Sequence, residues 1–568
     1  MGRVSLVFPP HWYYACVPAD LLYTGSQLRA RGLAVRCFDL HAELLRDLFS
    51  RGPAFAALRD PASYVETDRY HRLSEAVDAE CAAVSARHQV DFSFYNLSFP
   101  DLDEGAIPQA LAAGLDDARN PALPTLRAAV PRLLQAPGGS PESELIAVAL
   151  VHPGQMVQTL ALGRLLRQAG YRGFLVLYGA HEDVLAPEDL VPDLLPRPGE
   201  PLHRLFDDFD GVIQGEAETA LCDLAAALAG QRPPQSVPSL LCPRWGLVVP
   251  TGRGQENLRE LAAADFSLID PSVYPYPTPV VDLRLSRGCP FGKCTFCAIA
   301  MHQEGYRSRP TSAAPAEIQA AQQQLGARFF RFRDDLLTPR QLRELAAALQ
   351  ALPPSHRPRF SARARFEPGF TREVLQEAAA AGLEELWLGL ESAVPRVREL
   401  MKKGVTQPVI ERILRDAYDA GIRVRALCML GYPGETVAEI RETFAFLARV
   451  QPLLASVSMT PFFLMRRAPM GLAPERFGLT LIGQGPSTAA ASASADAMAM
   501  AGDPVPRHER LRFALRAHWP GALAPSELAA LLDECAALLG PELIRKSGGP
   551  SLAHAWLHAS ATRGGWPT

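Results

Sequence analysis

Cys289, Cys294 and Cys297 crowd into one short run, Arg287-Gly-Cys-Pro-Phe-Gly-Lys-Cys-Thr-Phe-Cys-Ala298, and no fourth cysteine or histidine stands at matching spacing. Three thiolates can hold three corners of a cubane iron-sulfur cluster and leave one iron without a protein ligand, open to chemistry. A closed zinc site needs four protein ligands, and only Cys294/Cys297 has zinc-finger spacing. Cluster, zinc site and buried unmetallated thiols are therefore the three readings of the run.

The elements that must carry this loop follow from the apolar pattern. Short apolar runs alternate with helical stretches: Val4 to Phe8, a helix near Ala19 to Arg31, Ala34 to Phe38, then Leu145 to Val151, a helix near Gln155 to Ala169, Phe174 to Tyr178, and Gly211 to Gln214 before a helix at Glu218 to Leu228. Strands spaced by helices mean a mostly parallel, doubly wound sheet, which takes ligands outside the carboxyl ends of its strands. His152, Gln155, Gly179 and Gly215 fall at such ends. The two glycines let backbone approach a ligand, whereas a strand-end His or Gln is equally a loop residue satisfying backbone groups. Residues 42–143 read as a long insertion of helical and loop character. The stretch Ser236 to Pro250 reads as a hairpin-like connector turning at Gly246, and a Pro- and Tyr-rich link, Asp270 to Pro279, follows.

Beyond the link the alternation resumes with Val281 to Leu285, Arg328 to Phe332, Arg359 to Arg363, Glu385 to Gly389, Arg423 to Cys428 and Ala455 to Met459. Six strand-helix units suggest a partial parallel barrel, whose chemistry would sit at the carboxyl ends of its strands, where the cysteine loop lies. Residues 466–568 read as a tail: a flexible Ser/Ala tract, Pro486 to Ala495, then helical stretches near Glu509 to His518 and Pro525 to Leu539.

The cysteine run resembles the cluster motif of radical S-adenosylmethionine (radical SAM) enzymes, in the longer form with an aromatic-Gly-Lys insert found beside cobalamin domains. What precedes it resembles the cobalamin-binding domain of that subfamily, through His152-Pro-Gly-Gln155, Tyr178-Gly179 and Asp210-Gly-Val-Ile-Gln-Gly-Glu-Ala-Glu-Thr219. The implied architecture is α/β: an N-terminal doubly wound, Rossmann-like cobalamin-binding domain with a helical insertion at 1–250, a partial (β/α)6 radical SAM barrel at 270–465, and a helical C-terminal tail at 466–568. The Asp-x-His-x-x-Gly sequence through which some cobalamin proteins ligate cobalt is absent: Asp39-Leu-His41 begins it, but residue 44 is Leu.

The resemblance implies a [4Fe-4S] cluster on Cys289, Cys294 and Cys297, S-adenosylmethionine as cofactor, and cobalamin. Phe296 matches the aromatic beside adenine, or is a hydrophobic plug under the cluster. Asp334, with Asp335 behind it, matches the acidic loop near the methionine amino group; the plain alternative is solvated loop residues before the helix start Thr338-Pro339. Glu391, in Gly389-Leu-Glu-Ser392, matches the acid near the ribose, or is a helix-N-terminal acid. Arg363 and Arg365 are candidates for the methionine carboxylate, or ordinary rim charges. Gly431-Tyr-Pro-Gly-Glu-Thr436 resembles the family's strand-turn-helix signature, with Gly431 and Pro433 bringing backbone close to the nucleoside and Thr436 a helix cap. Lys402-Lys-Gly404 reads as the basic end of a helix with a glycine stop.

The implied reaction is methylation of an unactivated carbon of a peptide or natural-product intermediate, with a rearrangement or cyclisation without methyl transfer, and a non-catalytic cofactor-binding partner protein, as alternatives. A one-electron donor such as flavodoxin or ferredoxin would be the partner. No general base is required. The charge balance, 57 basic against 61 acidic residues, gives no broad basic surface for nucleic acid or anionic membrane. No apolar run reaches membrane-spanning length, and the opening segment is too soon interrupted for a signal peptide, so the expectation is a cytoplasmic protein with reduced, scattered cysteines.

Overall fold

The computed structural model describes residues 2–11, 16–50, 52–94, 96–102, 107–135, 145–151, 153–179, 204–247, 251, 254–299, 305–482, 514–515, 517–540, 543 and 552–564. The chain divides into two compact units: 1–281 with 323–326 and 549–568, and 282–322 with 327–548.

In the first unit, β1 (Arg3–Phe8), β2 (Ala34–Asp39), β3 (Leu145–Ala149), β4 (Phe174–Tyr178), β5 (Gly211–Ile213) and β6 (Leu240–Leu241) form one sheet in the order β2-β1-β3-β4-β5-β6. The pairs are parallel from β2 through β5, and β6 joins antiparallel. The strand order reverses between β1 and β3, a topological switch point of a doubly wound sheet. Every residue of β3 and β4 is buried, as parallel strands covered on both faces require. The connector adds β6 as an edge strand and turns at Gly246, whose φ of 75° suits glycine. Among the described residues the insertion is mostly helical, including α1 (Leu40–Phe49) and α2 (Thr67–His88).

The barrel strands β7 (Val280–Leu283), β8 (Phe329–Phe332), β9 (Arg359–Arg365), β10 (Leu383–Glu391), β11 (Arg423–Leu430) and β12 (Ser456–Pro461) lie side by side in chain order, each added to one edge through a helical crossover. One face of each strand is apolar and buried, Leu386 and Leu388 on β10 and Val424 and Ala426 on β11. The alternate positions Arg363, Trp387, Arg423 and Arg425 are half-buried on the inner face. Asp282 of β7 takes a bidentate pair from Arg331 of β8, both contacts 2.7 Å, tying the first two strands in a dry setting.

The expected tail is not one region. The barrel unit reaches to 548 and contains α3 (Pro525–Leu539), while α4 (Leu552–Gly564) clusters with the first unit. The helix expected near Glu509 to His518 is corrected: its described residues form two short strands, Ala514–Leu515 and Ala517–His518, which pair antiparallel with Leu464–Met465 and Thr480–Leu481. Pairing partners distant in sequence override local helical preference there. The tract Pro486 to Ala495 lies outside the described residues.

Candidate functional site

The cysteine loop follows β7 at the carboxyl side of the barrel sheet. Its start is fixed by acids from the loop after β8. Asp334 is fully buried and accepts from the Leu285 amide at 3.1 Å and the Ser286 hydroxyl at 2.5 Å. Burial, only partly offset by these donors and by Arg284, raises its pKa to about 6. Asp335 accepts from the Gly288 amide at 3.0 Å, next to Cys289. The solvated-loop reading of both aspartates is thus corrected: each is spent on loop backbone.

Further along, the Thr295 amide donates to the Met401 carbonyl at 3.2 Å, and the Thr295 carbonyl accepts from the Met470 amide at 3.0 Å. The Thr295 hydroxyl meets the Tyr432 hydroxyl at 2.7 Å, joining the loop to the Gly-Tyr-Pro-Gly-Glu-Thr turn. Phe296 packs on Tyr432 edge to face at 6.4 Å, beside a cluster that includes Val397, Met401 and Phe462.

Burial raises the Cys297 thiol to about 12, and Cys294 and Cys289 push it the same way; Cys294 is raised by burial too. Cys289, Cys294 and Cys297, borne on one loop, would supply the three protein ligands of a cluster, whose charge would draw off the thiol protons.

Glu391 ends β10 at a register shift in the ladder with β11, and its φ is 62°. A bulge and a left-handed residue re-aim a side chain at a cost in backbone strain. Here the carboxylate meets Lys403 at 3.1 Å, with both side chains largely buried. Gly389 leaves the space: a Cβ there would lie 2.6 Å from Glu391 Oε1 and 3.0 Å from Lys403 Nζ. Burial works against the Lys403 charge, but Glu391 and Cys294 outweigh it and hold the ammonium above its ordinary value. Lys403 is thus a buried partner of Glu391 beside the cysteines, and not merely the basic end of a helix. Pattern reading missed it, because the pairing depends on backbone geometry at Glu391 that the local sequence does not show.

Arg365 stacks on Phe291 of the cysteine loop at 3.6 Å and donates to the Lys403 carbonyl, leaving Nε buried without a partner among the described residues. Arg363 lies over Trp387 at 5.4 Å. Gly431 and Gly434 have φ of 74° and 83°. Glu435 clamps the turn from within, accepting from the Gly431 and Tyr432 amides at 2.8 and 3.2 Å. Burial first lifts its pKa to about 7, and these donors only partly oppose it.

In the first unit His152 lies outside the described residues. Gln155 is fully buried, its amide donating to the Pro9 carbonyl at 2.9 Å and accepting from the Val151 amide at 3.0 Å, so its polar atoms tie two strand ends together. The Gly179 amide donates to the Ile213 carbonyl at 3.3 Å, and Gly215 has φ of 77°. Asp39 caps α1 through the Ala42 amide and accepts from the Tyr274 hydroxyl at 2.7 Å. His11 lies edge-on to His41, ring centroids 4.7 Å apart, and burial lowers its pKa to about 3, so it is neutral. At the carboxyl ends of β4 and β5 the Tyr178 hydroxyl and Gln214 Nε2 are buried without a partner among the described residues, unmet polar capacity that suits a polar ligand at that edge.

Residues 283–447 match the radical SAM superfamily. The chain is 25% identical over 241 residues to an uncharacterized methyltransferase of Pyrococcus horikoshii, covering 42% of this chain and 52% of that protein. It is 24% identical over 210 residues to a bacteriochlorophyllide d C-12(1)-methyltransferase of Chlorobaculum tepidum, covering 35% and 45%. The chain spans about half the length of these curated relatives. Its fold is that of the radical S-adenosylmethionine methyltransferase TsrM from Kitasatospora setae, solved with cobalamin and a [4Fe-4S] cluster, with a TM-score of 0.58 at 16% identity over 95% of this chain and 90% of that one. It also matches the cobalamin-dependent S-adenosylmethionine radical enzyme OxsB, with a TM-score of 0.58 at 11% identity over 94% and 66%. Among the described residues no helix is long and apolar enough to cross a membrane.

Proposed function

On the premise that residues 283–447 form a radical SAM domain, we propose that the chain is a cobalamin-dependent radical SAM enzyme that methylates an unactivated carbon of a peptide or natural-product intermediate. The observation that carries this is the loop bearing Cys289, Cys294 and Cys297 at the carboxyl side of a six-stranded sequential sheet.

Cys289, Cys294 and Cys297 would hold a [4Fe-4S] cluster. Glu391, pinned by Lys403, can accept from a ribose diol, and Phe296 offers an aromatic edge for adenine. Arg365, stacked on Phe291 of the cysteine loop, would suit a carboxylate, a role for which Arg363 is the second candidate. Asp334 would act by fixing the loop, and Gly431 and Pro433 by admitting nucleoside against backbone. Gly179, Gly215, Gln155 and His152 would be the residues to border cobalamin. When bound, these groups supply hydrogen abstraction from carbon and a methyl group. The protein's part is to position them and exclude water. A flavodoxin or ferredoxin would deliver electrons, in a cytoplasmic setting.

The test is anaerobic reconstitution of the full chain. About four irons per chain are expected, dropping sharply in Cys289→Ala, Cys294→Ala or Cys297→Ala but not in Cys222→Ala. Retained zinc with no iron would sink the reading. With cobalamin added, 5′-deoxyadenosine without methylated product would favour the rearrangement chemistry instead.

A further inference from the structure

Arg331, Arg363, Arg365, Arg423 and Arg425 lie on β8, β9 and β11, and the acids Asp282, Glu385 and Glu391 on β7 and β10. Most are paired: Arg331 with Asp282, Arg423 with Glu385 at 3.1 Å, Lys403 with Glu391. One rung up from Glu385, Arg363, Trp387, Arg425 and Ser456 are aligned across β9 to β12.

Trp387 is locked by donating from its indole nitrogen to Glu385 at 2.6 Å. Arg425 lies over its ring at 4.8 Å and donates from Nε to the Ser456 hydroxyl at 2.9 Å. Among the described residues no carboxylate pairs with Arg425, whose terminal nitrogens are left as a fork on the half-buried inner face. The next rung toward the carboxyl ends holds Gly389 between Arg365 and Leu427, so no side chain rises from β10 at that position.

We propose that Arg425, held by Trp387 and Ser456, is the specificity residue for a small substrate bearing an oxyanion, carboxylate or phosphate. The assignment rests on the radical SAM reading for the reaction but not for the binding. A guanidinium fixed through Nε and by ring stacking has lost little further freedom when two oxygens arrive, and bidentate pairing is the contact it makes best.

The test is calorimetric titration of the anaerobically reconstituted full chain with benzoate, phenyl phosphate and the neutral isostere benzamide. At least one oxyanion probe should bind tenfold or more tightly than benzamide, and Arg425→Gln should erase that preference. Equal affinity for all three probes, which needs no variant and so survives a misfolded Arg425→Gln, overturns the proposal, as does an Arg425→Gln protein that keeps the preference. A lead for benzoate points to a carboxylic substrate, and a lead for phenyl phosphate to a phosphorylated one. Iron content and cofactor cleavage of the same wild-type preparation report on the radical reading separately. Oxyanion binding without a cluster would leave the role of Arg425 and remove the chemistry, and cleavage without oxyanion preference would do the reverse.

Discussion

Lys403 and Glu391 show how a residue's role can hide from its sequence. Their pairing depends on a bulge, a left-handed glutamate and a glycine that makes room, none of which composition announces. Removing one member of such a buried pair strands the other charge, so Lys403→Ala should cost about 3–5 kcal/mol of stability in urea titrations. The cysteines were legible for the opposite reason, because ligands borne on one short loop carry their spacing in the sequence. Asp39 adds a residue-scale prediction. Burial lifts its pKa to about 7 from 3.8, against hydrogen bonds from Ala42 and Tyr274. The folded state then holds the proton more tightly than the unfolded one, so its stabilising contribution is fully present below about pH 4 and is lost as pH rises toward 7. Asp39→Asn should flatten stability against pH across that window in denaturant midpoints measured from pH 4 to 8.

At the scale of elements, the strands were readable because apolar alternation survives wherever one face packs on helices, as Leu386 and Leu388 do on β10. Helix starts were readable where a cap is local: Thr436 accepts from the Glu439 amide while Glu439 reaches back to the Thr436 amide at 2.9 Å. Thr436→Ala should therefore cost about 1 kcal/mol, read as a lowered unfolding midpoint. Arg396 and the Thr436 donors hold the Glu439 carboxyl down to about 2, so the box persists above ordinary carboxylate pH and fails as acid approaches that value. Pairing between distant segments was not readable. The strands at 514–518 find their partners near 464 and 480, and nothing in a local window encodes that choice.

For the whole molecule, the decisive unforeseen contact is the return of α4 to the first unit. His558 stacks on Tyr70 at 4.2 Å and donates to the Tyr64 carbonyl at 2.8 Å, His554 donates to the Pro275 carbonyl at 2.8 Å, and Trp556 is buried. Truncation after Gly548 should speed hydrogen exchange in α2, which carries Tyr70, and leave β9 to β11 as protected as before. Faster exchange in both sets would mean that α4 supports more than its own unit.

That return makes the barrel an interruption within one body, its segment lying in sequence between Tyr70 and the helix that stacks on it. During synthesis the faces of Tyr64 and Tyr70 that meet His554 and His558 must wait uncovered until the ribosome has delivered the barrel.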